Sequence, residues 1–367
     1  MSKARLVLVG GFLGAGKTTL MAQAGRRLAA QGRQVGFITN DQAAQLVDTE
    51  LLKQTGFDVK EVAGACFCCK FDELIGRTDE FLAERKPDIL ISEPVGSCTD
   101  LSATVLQPVK KFFGDRFRVA PFSVVTDPLR LRMALSGKAS VFTDSVLYIY
   151  GKQLEEADII VLNKIDQLTP DEINELKAAL AKKFPGTPVV AVSAITGDGI
   201  DAWLELIQQD RPAGTRIAEI DYDTYADGEA VLGWLNASVK LRSQAPVEWR
   251  GFAFNLLRAF KDEFSALKAE VAHVKLSLNA PGTGLVGNLT SSRGMPFVLV
   301  QGKKGEPTAE ALLIVNARVH ITPEQLRPVV EKVISACGIE ARIETLECFS
   351  PGRPKPTHRF KDVVAQA

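Results

Sequence analysis

The segment Gly11-Phe12-Leu13-Gly14-Ala15-Gly16-Lys17-Thr18 constrains the fold of this chain more than any other stretch. It fits the spacing G-x-x-x-x-G-K-[ST] and lies between an apolar run, Arg5 to Val9, and a helical pattern from about Lys17 to Gln31. In that pattern Leu20, Ala24 and Leu28 recur at helical spacing, and Gly32 is placed to end it. Glycines let the backbone curl so that several N–H groups face one phosphate, and the helix N-terminus adds its partial positive charge. The expected phosphate-binding residues are Gly11, Gly14, Ala15, Gly16, Lys17, Thr18 and Thr19. Lys17 would neutralise the β and γ phosphates, and the Thr18 hydroxyl would ligate Mg²⁺. A chance glycine-rich turn is the competing reading, and pattern and context together weigh against it.

The first half of the chain continues the alternation that this loop requires. Val35–Ile38, Ile89–Ile91, Ile159–Leu162 and Val189–Val192 are short apolar runs separated by helical segments. Such runs predict an α/β fold whose mostly parallel sheet is covered by helices on both faces. A helix over Asp171–Phe184 carries Thr169 as N-cap, Pro170 at its first position and Glu172 closing a capping box. The pattern breaks at Arg211-Pro212-Ala213-Gly214, and a polar stretch follows with a helix expected through Leu232, Trp234 and Leu235. From about Trp249 the order reads strand, helix, strands, helix, strand, which predicts a smaller α+β domain of split-βαβ type. Its clearest pieces are Phe297–Gln301, Ala311–Val319, a helix over Pro323–Ala336 and Ala341–Leu346. The expected division is a nucleotide-binding domain over 1–212, a connecting segment with a helix over 213–248, the α+β domain over 249–349, and a loosely ordered tail over 350–367.

Composition narrows the partners. Lysine plus arginine number 44 and so do aspartate plus glutamate, which argues against a nucleic acid held by bulk electrostatics. No apolar stretch approaches the ~20 residues that span a bilayer. Lys3 and Arg5 before Leu6–Val9 resemble a signal sequence superficially, but the run leads straight into the glycine-rich loop. A cytoplasmic protein with no membrane partner is expected.

Two further segments complete a nucleotide site. Asn163-Lys164-Ile165-Asp166 follows the run Ile159–Leu162. The Asp166 carboxylate can accept the N1–H and the exocyclic amine of guanine, a donor pair that adenine lacks. Lys164 would lie across the ring face, and a backbone N–H at Ser193-Ala194 would reach the guanine oxygen. GTP is therefore preferred over ATP. Asp88-Ile89-Leu90-Ile91-Ser92-Glu93 delivers Glu93 to the ligand-binding edge of the sheet as a partner for Mg²⁺ or water. Gly96 would offer its N–H to the γ phosphate. The plainer alternative makes Glu93 a strand-end carboxylate that caps the next segment.

Three of the six cysteines fall within Cys66-Phe67-Cys68-Cys69. If Cys66 to Cys68 is extended, their side chains share one face, and a turn at Cys69 adds a third thiolate. Thiolates select Zn²⁺, Cu⁺, Co²⁺ or Ni²⁺ over Mg²⁺ and Ca²⁺, and three of them leave a fourth position open. Redox chemistry and simple packing are the competing readings. Cys98 is a candidate fourth ligand, while Cys337 and Cys348 read as structural. The histidines at 273, 320 and 358 are scattered.

Taken in this order, the motifs resemble those of the CobW/HypB/UreG family of P-loop GTPases, and of its CobW-like branch in particular. The likeness rests on Gly11–Thr18, Cys66–Cys69, Glu93 with Gly96, and Asn163 to Asp166, over roughly residues 5 to 210. It implies a P-loop GTPase with GTP and Mg²⁺ as cofactors and a transition metal, zinc, cobalt or nickel, delivered to a client metalloenzyme or cofactor pathway. Zn²⁺ or Co²⁺ is the expected ion, and a homodimer is compatible with the likeness. It also matches Asp41, in Thr39-Asn40-Asp41, with an acidic switch residue near Mg²⁺, alongside Thr18 and Glu93. The Asn40-Asp41 pair is closer to the UreG branch, the Pro94-Val95-Gly96 run is closer to HypB, and there is no histidine-rich tract. Lys17 and Glu93 are the expected catalytic residues. Two alternatives stand beside metal delivery. One is a GTPase chaperone for a cofactor-dependent enzyme, such as a corrinoid enzyme, with a structural metal. The other is a small-molecule kinase, against which Asn163 to Asp166 argues.

Overall fold

The computed structural model describes residues 3–42, 47–136, 143–301 and 306–366. These fall into two compact units. The first comprises the chain up to Gln42, Phe57–Tyr225 and the chain from Arg353 onward; the second comprises Ala43–Gly56 and Ala226–Gly352.

The first unit is built on β1 (Ala4–Gly11), β2 (Val35–Asp41), β3 (Asp58–Ala63), β4 (Ile89–Glu93), β5 (Phe117–Val119), β6 (Ser123–Thr126), β7 (Ile159–Leu162) and β8 (Val189–Ala191). The sheet order is β3-β2-β4-β1-β6-β7-β8, with β5 alongside the first residues of β1. Every pairing is parallel. Leu6, Val7, Leu8 and Val9 are buried, as are Ile159 to Leu162, because helices cover both faces and leave no polar side to alternate with. Parallel strands share a direction, so Gly11, Asp41, Ala63, Glu93, Thr126, Leu162 and Ala191 all end on one edge. That edge is where open α/β sheets bind ligands. The helix Pro170–Lys183 carries the expected capping box between Thr169 and Glu172.

The second unit is an antiparallel sheet of β9 (Gly233–Val247), β10 (Val271–Ala280), β11 (Thr283–Leu289), β12 (Phe297–Gln301), β13 (Thr308–Val319) and β14 (Glu340–Phe349). Its order, β12-β11-β10-β13-β9-β14, contains the split-βαβ arrangement, extended by the β11–β12 hairpin. The helices Trp249–Ala266 and Pro323–Ser335 pack their apolar stripes on this sheet. The helix Val47–Gln54 also belongs here: the Val47 N–H donates to Asn316 at 2.9 Å, and Lys275 pairs with Asp48 at 2.6 Å.

Three expectations are corrected. Trp234 and Leu235 lie in β9 rather than in a helix, and Leu232 just precedes it; the helix of this region is Tyr222–Ala230. From Leu235 the buried residues Ala237, Val239 and Leu241 recur with period two, the signature of a strand. Trp249 opens a helix rather than a strand: Glu248 caps the Gly251 N–H at 2.6 Å, and Trp249, Ala253, Leu257, Phe260 and Phe264 form its buried stripe. The tail from Arg353 is packed into the first unit instead of being loose. Among the described residues no helix is long and apolar enough to cross a membrane.

Candidate nucleotide and metal site

The sheet order sets out the motifs along the binding edge. The cysteine turn follows β3, Asn40 and Asp41 end β2, Glu93 ends β4, the phosphate loop follows β1, Asn163 follows β7 and Ser193 follows β8. Thiols therefore stand at one end of the row, the run from Asn163 to Asp166 towards the other and the phosphate loop between them.

Gly16 shows why the loop demands glycine. Its φ is 96°, and a Cβ there would stand 2.3 Å from Asn163 Nδ2. That close approach exists because Asn163 Nδ2 donates to the Ala15 carbonyl at 2.8 Å. Lys164 Nζ likewise donates to the Gly14 carbonyl at 2.8 Å, so the segment after β7 is fastened directly to the phosphate loop. The Ser193 hydroxyl donates to Asp166 Oδ1 at 2.6 Å, which holds the carboxylate that would read the base. One expectation changes here. The Ser193 N–H donates to the Asp198 carbonyl at 2.9 Å and the Ala194 N–H to Asn163 Oδ1 at 2.9 Å, so both amides are already engaged within the protein.

Lys17, Thr18 and Glu93 are buried together. Thr18 Oγ1 donates to Glu93 Oε2 at 2.8 Å, and Lys17 Nζ lies 3.6 Å from Glu93 Oε1. Two oxygens bound side by side on an octahedral Mg²⁺ stand about 2.9 Å apart, so this pair fits the cation without rearrangement. Asp41 closes β2, with its Oδ1 accepting the Gln42 N–H at 2.6 Å. Gly96 presses on the loop: a Cβ there would lie 2.8 Å from Leu13 Cδ2 and 3.1 Å from both Leu13 N and Lys17 Nζ. Its backbone thus borders the position the γ phosphate would take.

The segment after Glu93 is held from behind by the helix Asp144–Glu155 and the residue that follows it. Gln153 Nε2 donates to the Gly96 carbonyl at 3.0 Å and to the Cys98 carbonyl at 2.8 Å. Glu156 accepts from Thr99 Oγ1 at 3.2 Å and from the Ser102 N–H at 2.9 Å. Burial pushes the Glu156 carboxyl up to about 8, which makes it a neutral, hydrogen-bonded fixture near pH 7.

Cys66 to Lys70 form a tight turn, so the sulfurs converge through the turn and not through an extended Cys66–Cys68 run. The N–H groups of Cys69 and Lys70 both donate to the Cys66 carbonyl, at 3.0 and 2.9 Å. Asn40 anchors this turn: its Nδ2 donates to the Val62 and Ala65 carbonyls at 2.9 and 2.7 Å, and its Oδ1 accepts the Phe67 N–H at 2.8 Å. The three sulfurs converge within 4.8 Å of one another. Cys66 Sγ is 2.8 Å from Cys68 Sγ and 3.3 Å from Cys69 Sγ, and the Cys98 thiol also hydrogen-bonds to Cys66. Thiolates around a tetrahedral Zn²⁺ stand roughly 3.8 Å apart, so the donor set fits a soft cation after a small outward movement. The neighbouring thiols of Cys68, then Cys69 and Cys98, hold Cys66 well below the usual thiol range. Cys68 and Cys69 move the opposite way, first through their side-chain hydrogen bonds with Cys66, and Cys69 rises to about 11.

The C-terminal segment runs against this turn, which nothing in the sequence foretells. The Lys355 N–H donates to Cys69 Sγ at 3.2 Å, and the Thr357 N–H donates to the Cys68 carbonyl at 2.8 Å. Arg359 Nε pairs with the buried Asp100 at 2.7 Å, and the Asp100 carboxylate also accepts from the Tyr222 hydroxyl at 2.7 Å. Asn40, Gln153, Glu156, Lys355 and Thr357 escape sequence reasoning because each acts through an element distant in the chain.

The family model for the CobW/HypB/UreG nucleotide-binding domain matches residues 5–191. The chain is 29% identical over 252 residues to the zinc chaperone CobW of Pseudomonas aeruginosa, covering 58% of this chain and 64% of that one. It is 30% identical over 179 residues to the zinc chaperone YeiR of Escherichia coli, covering 47% of this chain and 50% of that one. The chain therefore spans between half and two thirds of the length of these relatives. Among solved structures, HypB from Helicobacter pylori in complex with nickel is 16% identical with a TM-score of 0.40, covering 57% of this chain and 91% of that one. Zn(II)-bound YjiA GTPase from E. coli is 14% identical with a TM-score of 0.34, covering 91% and 99%. With a family match over just over half its length, the chain belongs to the CobW/HypB/UreG family of P-loop GTPases.

Proposed function

We propose that this chain binds and hydrolyses GTP and uses that cycle to carry a transition metal to a client enzyme or cofactor pathway. The observation that carries the reading is the Asn40 side chain. Asn40 ends β2 beside Asp41, yet its three hydrogen bonds hold β3 and the cysteine turn that follows it. A change sensed at Asp41 therefore reaches the thiols through one residue. On the other side, Gly96 and Cys98 share the short loop that follows Glu93, so the residue beside the γ phosphate lies two positions from a thiol that touches Cys66.

In this reading Gly11, Gly14, Ala15, Gly16, Lys17, Thr18 and Thr19 hold the phosphates, and Asn163, Lys164 and Asp166 hold guanine, with Ser193 steadying Asp166 and Ala194 steadying Asn163. Thr18, Asp41 and Glu93 hold Mg²⁺, which when bound neutralises charge developing on the phosphates. Lys17 neutralises the same charge from the loop side, and Glu93 orients water. Cys66, Cys68 and Cys69 hold the cargo, with Cys98 as a fourth ligand. The zinc chaperones among its relatives favour zinc as that cargo, with cobalt as the spectroscopic substitute. The free thiols suit the reducing cytoplasm.

The test is a Co²⁺ titration under reducing, anaerobic conditions, following the thiolate-to-cobalt absorption with Mg-GTP and then with Mg-GDP. The reading expects a strong band whose affinity differs between the two nucleotides. Equal affinities would sink the coupling and favour a structural metal in a GTPase chaperone. Absence of any band would send the thiols back to redox chemistry.

A further inference from the structure

We propose that the C-terminal strap from Arg353 to Phe360 is a working part of the thiol site, in which the Lys355 backbone N–H steadies metal-bound Cys69. The inference rests on the metal reading above and deepens it.

The strap is fixed at several points. Arg353 pairs with Asp223 at 2.5 Å, Arg359 pairs with Asp100 at 2.7 Å, and the Phe360 N–H donates to the Ala103 carbonyl at 3.1 Å. The His358 ring lies edge-on to Phe71, 5.2 Å between centroids, and within 5.4 Å of the Phe112 centroid. Between these anchors the strap follows the cysteine turn closely. The Thr357 N–H donates to the Cys68 carbonyl at 2.8 Å, and its hydroxyl donates to the Cys69 carbonyl at 3.3 Å.

The local sequence makes the contact with sulfur selective. Lys355 stands between Pro354 and Pro356, neither of which has an N–H. Prolines on either side hold the backbone extended, so this stretch has one amide to give. That amide points at Cys69 Sγ, 3.2 Å away. Cys69 is also the half-buried member of a trio whose other sulfurs, Cys66 and Cys68, are buried. The strap therefore touches the thiol that an incoming client ligand would meet first.

Hydrogen bonds to ligating sulfur lower the energy of its lone pairs and set how tightly the thiolate holds its metal. While the strap is seated, Cys69 keeps both its orientation and an N–H partner. When the strap lifts, that partner is lost and the sulfur becomes open to exchange. Handover to a client ligand would then begin at Cys69.

The experiment compares full-length wild type, Lys355→Ala and Lys355→Pro, each titrated with Co²⁺ and, by chelator competition, with Zn²⁺. Lys355→Ala keeps the amide; Lys355→Pro removes it within an already proline-flanked stretch. The expected result is wild-type behaviour for Lys355→Ala. Lys355→Pro should bind about ten- to a hundredfold more weakly, the range of one hydrogen bond to a charged partner, with the sulfur-to-cobalt band moved to longer wavelength. Identical bands and affinities for all three would overturn the proposal, as would equal losses in both variants, which would implicate the lysine side chain. Should Lys355→Pro not fold, Arg359→Gln takes its place, since loosening the strap at Asp100 must shift band and affinity in the same direction; no shift refutes the strap. A wild type without any band refutes the metal reading itself, and the strap with it.

Discussion

Replacing Asn40 with alanine separates the cysteine turn from the end of β2 while leaving every sulfur in place. The buried side chain makes three hydrogen bonds, to the Val62 and Ala65 carbonyls and from the Phe67 N–H. At about 1 kcal/mol net for each, their loss costs roughly 3 kcal/mol. In a unit of this size that is a fall of about 6–12 °C in melting temperature, at about 2–4 °C per kcal/mol. If metal binding must then re-form the turn, the same energy is drawn from affinity, and Kd for Co²⁺ rises by up to about a hundredfold. Any difference between Mg-GTP and Mg-GDP in Co²⁺ affinity should shrink as well, because the link between Asp41 and the thiols is gone. The assay is a thermal melt of the apoprotein followed by Co²⁺ titration with each nucleotide. A melt within about 2 °C of wild type, with affinity unchanged within about twofold, would refute the role assigned to Asn40.

Three other changes test separate parts of the site. Asp166→Asn exchanges an acceptor for a donor facing the base, so GTP binding should weaken by about 2–3 kcal/mol while xanthosine triphosphate, which carries a carbonyl where guanine has its amine, gains; a nucleotide competition assay reads both. Gly96→Ala puts a methyl 3.1 Å from Lys17 Nζ and 2.8 Å from Leu13 Cδ2, and should slow GTP hydrolysis by roughly ten- to a hundredfold in a phosphate-release assay while the thiol-to-cobalt band persists. Glu156→Gln tests the buried carboxyl, whose folded-state value of about 8 lies above its ordinary 4.5. Its contribution is therefore full below about pH 4.5 and is lost as pH rises through about 8. The variant keeps an acceptor for the Ser102 N–H and removes the titration, so melts across pH 5 to 9 should show it gaining on wild type by a few kcal/mol at the alkaline end. A constant difference across that range would mean that Glu156 does not titrate there.

The phosphate loop, and the placement of Glu93 and of the run from Asn163 to Asp166 at strand ends, were legible because the signals are local: fixed spacing, next to an apolar strand. The parallel sheet was legible for the same reason, in Leu6–Val9 and Ile159–Leu162. What was not legible depends on which strands become neighbours. Asn40 can anchor the cysteine turn only because β2 pairs with β3 and sets Asp41 opposite Ala63. Gln153 and Glu156 act on the loop from Gly96 to Ser102 from a helix more than fifty residues away, and no spacing rule spans that gap. The strap misled composition outright. Prolines and basic residues read as a loose tail, yet its order comes from three backbone N–H groups and Arg359, features that composition does not weigh. In the second unit, Trp234 and Leu235 show how a short apolar run is read with the wrong period when its long strand partner, β13, lies eighty residues on.

The way the chain is shared between the two units bears on how the protein can be dissected. It passes from one unit to the other after Gln42, Gly56, Tyr225 and Gly352. A chain ending at residue 212 would carry every nucleotide and thiol residue, yet it would lack the strap on Cys69. It would also carry the helix Val47–Gln54 without the sheet to which that helix belongs, leaving Val47, Leu51 and Leu52, all buried in the full chain, to face water or one another. Shortened forms of this protein therefore make poor stand-ins for the whole: aggregation or a weakened metal site in such a fragment would report the cut and not the chemistry.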